Sequence, residues 1–128
     1  MTAATTPSGR TEPVRIDKPW GYELLWAHTE RYVGKILVIH AGHALSLQYH
    51  QRKEETLMVL SGEVSIEFFA ESEPPSIEQF TRHQILHVPA GLRHRLTALT
   101  DAELAEVSTP ELDDVVRITD RYGRGAAP

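Results

Sequence analysis

Hydrophobic and polar residues alternate with a period of two along most of this chain from residue 32 onward. The alternation is cleanest at residues 45–50, where leucine and tyrosine fall on one face and serine, glutamine and histidine on the other. Because successive side chains of a β-strand point to opposite faces, this pattern predicts strands. The predicted strands are residues 32–40, 45–50, 56–60, 64–69, 77–81, 85–88, 95–99 and 104–108.

Turn signals separate these strands. Residues 61–63 read Ser-Gly-Glu and predict a hairpin-like turn, and Pro74 and Pro75 lie in a polar loop. A single helical turn is predicted at residues 110–114, because Thr109 can cap it and Pro110 suits the first helical position. Many short strands at a spacing of roughly 8 to 12 residues predict an all-β sandwich or barrel.

The length of 128 residues is enough for one domain and too short for two. We expect the barrel to span residues 14–122. Residues 1–13 are rich in Thr, Ala, Pro, Ser and Gly and predict a flexible N-terminal tail, and residues 123–128 predict a flexible C-terminal tail.

Composition excludes several classes of function. The chain has no cysteine, which excludes disulfides, thiolate zinc sites, Fe–S clusters and cysteine nucleophiles. Its net charge of −5 argues against binding to nucleic acid or to an anionic membrane. No apolar run approaches the roughly 20 residues of a membrane span, and the N-terminus lacks the apolar stretch of a signal peptide. We therefore expect a cytoplasmic protein.

Four polar side chains are candidates to bind a metal ion. Gln48 and His50 are two residues apart on a predicted strand, so they share a face with Cβ atoms roughly 6.5 to 7 Å apart. Glu55 begins the next strand and His94 follows a Pro-x-Gly turn, so a barrel can bring all four to one interior point. Two imidazoles, an amide oxygen and a carboxylate suit one divalent ion, with Zn²⁺ favoured and Mn²⁺, Fe²⁺, Co²⁺ or Ni²⁺ as alternatives.

These segments resemble the two motifs of the cupin superfamily. Residues 42–62 fit the first motif, G-x5-H-x-H-x3,4-E-x6-G, with Gln48 in place of its first histidine. Residues 89–94 fit the Pro-x-Gly-x2-His of the second motif, whose leading glycine is replaced by His83 and whose final asparagine by Ala98. The resemblance implies the cupin double-stranded β-helix, a jelly-roll barrel with one metal in its open mouth.

The chain further resembles the isomerase domain of type II phosphomannose isomerases, the bifunctional mannose-6-phosphate isomerase and mannose-1-phosphate guanylyltransferase family. Four separate motifs carry this resemblance: KPWG at 18–21, LSLQYH at 45–50, VPAGLRHRL at 88–96 and DDVVRITDRYGR at 113–124. The family's metal set of Gln, His, Glu and His implies the same role for Gln48, His50, Glu55 and His94. The implied function is metal-dependent aldose–ketose isomerisation of a phosphorylated sugar.

The sequence also departs from this family. Lys53 stands where the family has arginine, Arg52 where it has histidine, and Thr56 and Leu57 where it has His-Trp. The nucleotidyltransferase domain that precedes this module in the family has no counterpart in the sequence, so we expect a free-standing relative. Two alternatives stay open. One is another metal-dependent cupin enzyme, such as an epimerase, lyase or dioxygenase, and the other is a non-catalytic cupin that binds metal or carbohydrate.

Isomerisation needs a group that moves a proton, and three residues are candidates. Because Glu55 and His94 are needed as metal ligands, the candidates are Lys53, His87 and Lys35. His87 alternates with the apolar residues of its strand and is expected either to line the cavity or to lie on the surface. Lys35 begins a strand at a position where the isomerases also carry a lysine, with a sheet-edge lysine as the alternative.

Four arginines are candidates to bind the substrate phosphate, because a guanidinium makes bidentate contacts with phosphate oxygens. They are Arg93, Arg95, Arg117 and Arg121. Arg93 and Arg95 flank His94, and we expect one of them to face inward. We also predict a homodimer, because residues 18–25 and 115–122 are apolar enough to pack against a second copy.

Overall fold

A computed structural model describes residues 8–69 and 74–124 of the protein. These residues form strands and turns, and no helix occurs among them. The strands are β1 (Val14–Lys18), β2 (Gly21–His28), β3 (Val33–Ile39), β4 (Leu47–Tyr49), β5 (Glu55–Ser61), β6 (Val64–Phe69), β7 (Ser76–Phe80), β8 (Ile85–Val88), β9 (Arg93–Ala98), β10 (Ala102–Ser108) and β11 (Val116–Thr119). In these described ranges no helix has the length and apolar character needed to cross a membrane.

The strands form two antiparallel sheets. One has six strands in the order β1-β2-β3-β10-β5-β8, and the other has five in the order β11-β4-β9-β6-β7. Neighbours in the sheets are often distant in sequence, as with β3 and β10, which is typical of a jelly roll rather than a simple meander. The all-β prediction is therefore confirmed.

The buried core lies between the two sheets. Its largest fully buried side chains include Trp20, Ile39, Ile66 and Leu104, each at most 2 % exposed. The core strands alternate buried with less buried positions, as in β10, whose residues 102, 104, 106 and 108 are buried. The period-two pattern in the sequence therefore arises because one face of each sheet packs on the core and the other faces outward.

Two glycines permit the tight connections of this fold. Gly62, in the predicted hairpin turn, has φ +81°, and a Cβ there would lie 2.1 Å from the carbonyl oxygen of Asp101. At Gly21 a Cβ would lie 1.9 Å from the carbonyl oxygen of Val38, so β2 can approach β3 only with glycine there. The turn predicted at residues 61–63 is therefore confirmed. It is not a hairpin, because it connects β5 of one sheet to β6 of the other.

Two sequence predictions differ from the structure. Residues 14–18 and 21–28 form an antiparallel hairpin that the sequence analysis did not predict. The prediction missed it because β2 carries apolar residues on both faces and shows no alternation. Residues 110–114 form no helical turn. They make short turns such as Leu112 N–H to Pro110 O (2.8 Å), since Asp114 is held by contacts with residues 50–53. The predicted tails, 1–13 and 123–128, fall partly outside the described residues, which exclude 1–7 and 125–128.

Candidate metal and ligand site

A cavity of about 360 Å³ opens between the two sheets. Part of its lining is apolar and comes from core residues such as Leu37, Leu57 and Leu96. The rest is unusually polar for the interior of a small barrel. Its polar lining side chains are Lys18, Glu23, Lys35, Ser46, Gln48, His50, Lys53, Glu55, His94, Glu106, Asp113, Arg117 and Arg124.

Three predicted metal ligands converge in this cavity. His50 follows β4, Glu55 begins β5 and His94 lies on β9, yet their ligand atoms all lie within 4.8 Å of one another. The Nε2 atom of His50 is 3.4 Å from Glu55 Oε1, and the Nε2 atom of His94 is 3.7 Å from the same oxygen. All three residues are buried, at 5 % exposure or less. The cavity therefore holds a carboxylate and two imidazoles around one point.

Backbone contacts orient both imidazole rings toward this point. His50 Nδ1 donates to the carbonyl oxygen of Asp114 at 2.6 Å, and His94 Nδ1 donates to the carbonyl oxygen of Leu92 at 2.9 Å. In the neutral ring this leaves Nε2 without a proton, as metal coordination requires. The buried Nε2 of His50 has no hydrogen-bond partner among the described residues. This donor set fits a divalent metal ion.

Gln48 lies beside the three ligands. In the antiparallel pair of β4 and β9 it is directly opposite His94, which places the two Cβ atoms roughly 4.5 to 5.5 Å apart. Its amide oxygen accepts a hydrogen bond from Ser46 Oγ at 2.6 Å, which fixes the orientation of the amide and leaves the oxygen a second lone pair. All four predicted ligands thus line one cavity.

Charged neighbours set the protonation of the ligands. Burial raises the pKa of Glu55, but the adjacent His50 ring and the Lys53 ammonium outweigh burial and lower it to about 2. Burial lowers the pKa of His94 below its ordinary value. For His50 the effect of burial is exceeded by Glu55 and the Asp114 carbonyl, so its pKa is raised. At neutral pH Glu55 is therefore ionised and His94 neutral.

Lys53 connects Glu55 to a second buried carboxyl group. Its Nζ atom is 3.1 Å from Glu55 Oε2 and 3.1 Å from Glu106 Oε2, and all three residues are at most 5 % exposed. Complete burial, together with repulsion from Glu55, raises the pKa of Glu106 to about 7. Sequence analysis missed Glu106, although its place on the same face of the strand as the apolar Leu104 was a signal that it points inward.

Of the other predicted catalytic residues, one lines the cavity and one does not. Lys35 faces the cavity and its Nζ is 3.1 Å from Glu23 Oε1, with both residues buried. Glu23 was missed because β2 was not predicted. His87 points away from the cavity: its side chain is 54 % exposed and contacts Glu54 Oε2 at 2.6 Å. The inward positions of β8 are taken by apolar core residues, so the strand's other face is external.

The predicted phosphate-binding arginines also separate. Arg117 lines the cavity. Arg95 does not, because its guanidinium forms a bidentate pair with Glu67 (2.8 and 3.2 Å) outside the cavity. Arg93 is exposed, with its guanidinium carbon 5.6 Å from the centre of the Tyr49 ring. The expectation that Arg93 or Arg95 faces inward is wrong. Residues two apart on a strand share a face, so both arginines lie on the outward side of β9 while His94 between them points inward.

Comparison with known proteins identifies the family. A sequence model described as mannose-6-phosphate isomerase C-terminal matches residues 9–120. The chain belongs to this family. It is 30 % identical over 125 residues to the xanthan biosynthesis protein XanB of Xanthomonas campestris pv. campestris, covering 91 % of this chain and 26 % of that protein. It is 32 % identical over 115 residues to the mannose-1-phosphate guanylyltransferase ManC of Salmonella typhimurium, covering 85 % and 23 %.

This member of the mannose-6-phosphate isomerase C-terminal family spans only about a quarter of the length of these two relatives. Among solved structures, the oxalate decarboxylase of Lactobacillus farciminis superposes with a TM-score of 0.77 at 15 % identity, covering 96 % of this chain and 40 % of that one. This likeness shows the fold alone. The fold is the cupin double-stranded β-helix, as predicted from the motifs.

The structure also locates the departures from the isomerase motifs. Arg52 and Thr56 do not line the cavity, because Arg52 is exposed and Thr56 lies on the outward side of β5 beside His87. Lys53 and Leu57 do line it. Positions 52 and 56, where family members carry histidine, therefore lie outside the cavity. Among the charged residues that line the cavity, the departure from the family is the lysine at position 53.

Proposed function

We propose that this chain is a metal-dependent isomerase that interconverts the aldose and ketose forms of a phosphorylated sugar, of the mannose-6-phosphate type. The observation that carries the proposal is the convergence of His50 Nε2 and His94 Nε2 on Glu55 inside a cavity with several lysines and arginines. Membership of the mannose-6-phosphate isomerase C-terminal family supports the substrate class. A cavity of about 360 Å³ is within the range of small-molecule sites.

Gln48, His50, Glu55 and His94 would hold one divalent metal, with Zn²⁺ favoured and Mn²⁺, Fe²⁺, Co²⁺ or Ni²⁺ compatible with the same donors. When bound, the metal supplies Lewis acidity to the sugar's carbonyl oxygen. The isomerisation also moves a proton between C2 and C1, which needs a side chain that is not a ligand.

Glu106 is the group we assign to that proton transfer. It lines the cavity, is buried, and is held in place by Lys53 at 3.1 Å. Lys53 itself is a poor base, because Glu106 and Glu55 outweigh its burial and raise its pKa, so it stays protonated. We therefore assign Lys53 a positioning role toward both carboxylates. Lys35 is held by Glu23 and adds positive charge to the cavity.

The test is conversion of mannose 6-phosphate to fructose 6-phosphate, with metal analysis of the same sample. We expect turnover, and we expect Glu106→Gln to lower kcat by about 10²- to 10⁴-fold while the metal content is unchanged, as for loss of a general base. Glu103→Gln on the outward face of the same strand is the matched control and should retain activity. A metal-loaded, inactive wild-type protein would favour another cupin reaction or a non-catalytic binding role.

We also propose a homodimer. Both segments expected to pack against a second copy, 18–25 and 115–122, include cavity-lining residues such as Lys18 and Arg117, so we place the interface instead on the outward side of the six-stranded sheet, here called the outer sheet face. The paired residues Leu24, Ile36, Ala105, Met58 and Ile85 form a continuous apolar row across β2, β3, β10, β5 and β8. Five strands about 4.8 Å apart and about seven residues long cover roughly 500 Å² in projection. This is a large part of the about 800 Å² per partner in a standard interface, and a two-fold dimer pairs a face with itself.

Light scattering tests the dimer. We expect a mass near twice 14.4 kDa at micromolar concentration. Trp26→Glu, on the outer sheet face and 51 % exposed, should shift the protein to monomer, because it buries a charge in the interface. Ile77→Glu on the other sheet, at a residue 63 % exposed, is the control and should not. A wild-type mass near 14.4 kDa contradicts the proposal.

A further inference from the structure

The cavity has a group of cations that the metal ligands do not account for. Lys18 ends β1 of one sheet, whereas Arg117 lies on β11 of the other sheet and Arg124 follows β11, and all three line the same cavity. These residues belong to the motifs at 18–21 and 113–124, which carry the family resemblance but were given no joint role by the sequence. The fold brings the two motifs together.

Strand register places Arg117 next to the metal ligands. Arg117 lies directly opposite Gln48 across β11 and β4, and Gln48 lies directly opposite His94 across β4 and β9. The three therefore form one row of side chains facing the cavity, with neighbouring Cβ atoms roughly 4.5 to 5.5 Å apart. A molecule bound beside Gln48 and His94 is therefore within reach of the Arg117 guanidinium.

Most charged side chains of the cavity are already paired. Lys35 pairs with Glu23, Lys53 with Glu55 and Glu106, and Arg124 with Asp120 at 2.8 Å. The charges of these side chains are therefore offset within the protein.

Lys18 and Arg117 have no such partner. Within residues 8–69 and 74–124 neither lies within 4.0 Å of a carboxylate oxygen, and Arg117 Nε is buried without a hydrogen-bond partner. A buried unsatisfied donor costs free energy, so a group that satisfies it binds favourably.

The electrostatic environment of Lys18 is consistent with an anion site. Burial lowers its pKa, and the charges of Lys35, Arg117 and Arg124 lower it further against the opposing effect of Glu23. Several cations are thus held close together in a partly desolvated position. A bound anion would offset their mutual repulsion.

We propose that Lys18 and Arg117, with Arg124 beside them, bind the phosphate group of the substrate. Arg117 provides the planar donor pair that matches two phosphate oxygens, and Lys18 provides a point charge from the opposite sheet. Asp120 fixes Arg124 through two hydrogen bonds of 2.8 and 2.9 Å, so its charge is held in place. The inference rests on the proposed function in taking this anion to be the phosphate of a sugar.

Calorimetry on the metal-loaded full chain tests the site with three probes: inorganic phosphate, mannose 6-phosphate and mannose. We expect mannose 6-phosphate to bind at least about tenfold more tightly than mannose, with a preference that shrinks as salt is added. Arg117→Gln and Lys18→Gln should each weaken phosphate and mannose 6-phosphate by about tenfold and leave mannose unchanged. Arg117→Lys should recover part of the loss. Arg82→Gln, at an exposed turn residue, is the control.

The outcomes separate this inference from the isomerase proposal. No phosphate binding by the wild type, or unchanged phosphate affinity in both variants, overturns the anion site, and the second result would assign the anion to the metal. Isomerase activity with the same KM in both variants also overturns it while leaving the isomerase proposal intact. Phosphate binding that depends on Lys18 and Arg117 in a protein without turnover supports the anion site and contradicts the isomerase proposal alone.

Discussion

Replacing His94 with alanine is expected to abolish stoichiometric binding of a divalent metal. His94 supplies one of the two Nε2 atoms that face Glu55, and its ring is held in that orientation by Leu92. The loss should exceed the roughly 10- to 100-fold that follows removal of an outer hydrogen-bond partner, because a ligand itself is removed. Gln48→Ala should weaken binding less, since a neutral amide is the poorest of the four donors. Elemental analysis of protein purified without chelator, with metal titration, measures both.

The control for this experiment is His28→Ala, which removes an exposed histidine at the end of β2 and should leave the metal content unchanged. Acid should release the metal from the wild type. The pKa of His50 is raised, so protons compete for its Nε2 at a higher pH than for an ordinary histidine, whereas Glu55 stays ionised until about pH 2. A wild-type protein with no stoichiometric metal, or a His94→Ala protein that retains it, would refute the site.

Replacing Lys53 with methionine is expected to destabilise the fold by about 3 to 5 kcal/mol. Lys53 is the cation that contacts both Glu55 and Glu106 at 3.1 Å, and all three residues are at most 5 % exposed. Without it the buried carboxyl groups of Glu55 and Glu106 lose the cation that they share, and removing one partner is the costly way to break a buried ion pair. Denaturant unfolding of the chelated protein measures the change, so that bound metal does not mask it.

Two further variants distinguish charge from packing at this position. Lys53→Arg introduces the residue of the related isomerases and should retain most of the stability, because a guanidinium can contact both carboxylates. Arg52→Met, at the exposed neighbouring residue, should change the free energy of unfolding by less than about 0.5 kcal/mol. If Lys53→Met is as stable as the wild type, the lysine does not hold the two carboxylates in place.

The fold was predictable from sequence where one face of a strand is buried and the other is not. The alternation at β5, β6 and β10 was sufficient to predict strands there. It failed at β2, whose two faces both carry apolar residues, because its outward face belongs to the apolar outer sheet face. The turn chemistry at 110–114 favoured a helix locally, but contacts of Asp114 with residues 50–53 determine its conformation.

The candidate site was predictable only as far as motif spacing extends. Spacing brought the four ligand positions to one cavity, because each lies at a fixed place on a strand or turn. It did not find Glu106 or Glu23, which pair with lysines only through contacts between distant strands. For His87 alternation left two faces to choose from, and the choice depends on which neighbours fill the core. For Arg95 the inward position of the adjacent His94 already indicated the outward face.

Asp114 connects the segment before β11 to His50, one of the candidate metal ligands. Its carboxylate accepts hydrogen bonds from the backbone N–H groups of Gln51, Arg52 and Lys53, and its carbonyl accepts one from His50 Nδ1. An ion bound at Nε2 of the same ring would therefore favour the position in which the segment around Asp114 contacts residues 50–53. By thermodynamic linkage the reverse would hold as well, so these contacts would strengthen binding of the ion by an equal free energy. The segment before β11 would thus act as an effector of the affinity for the ion.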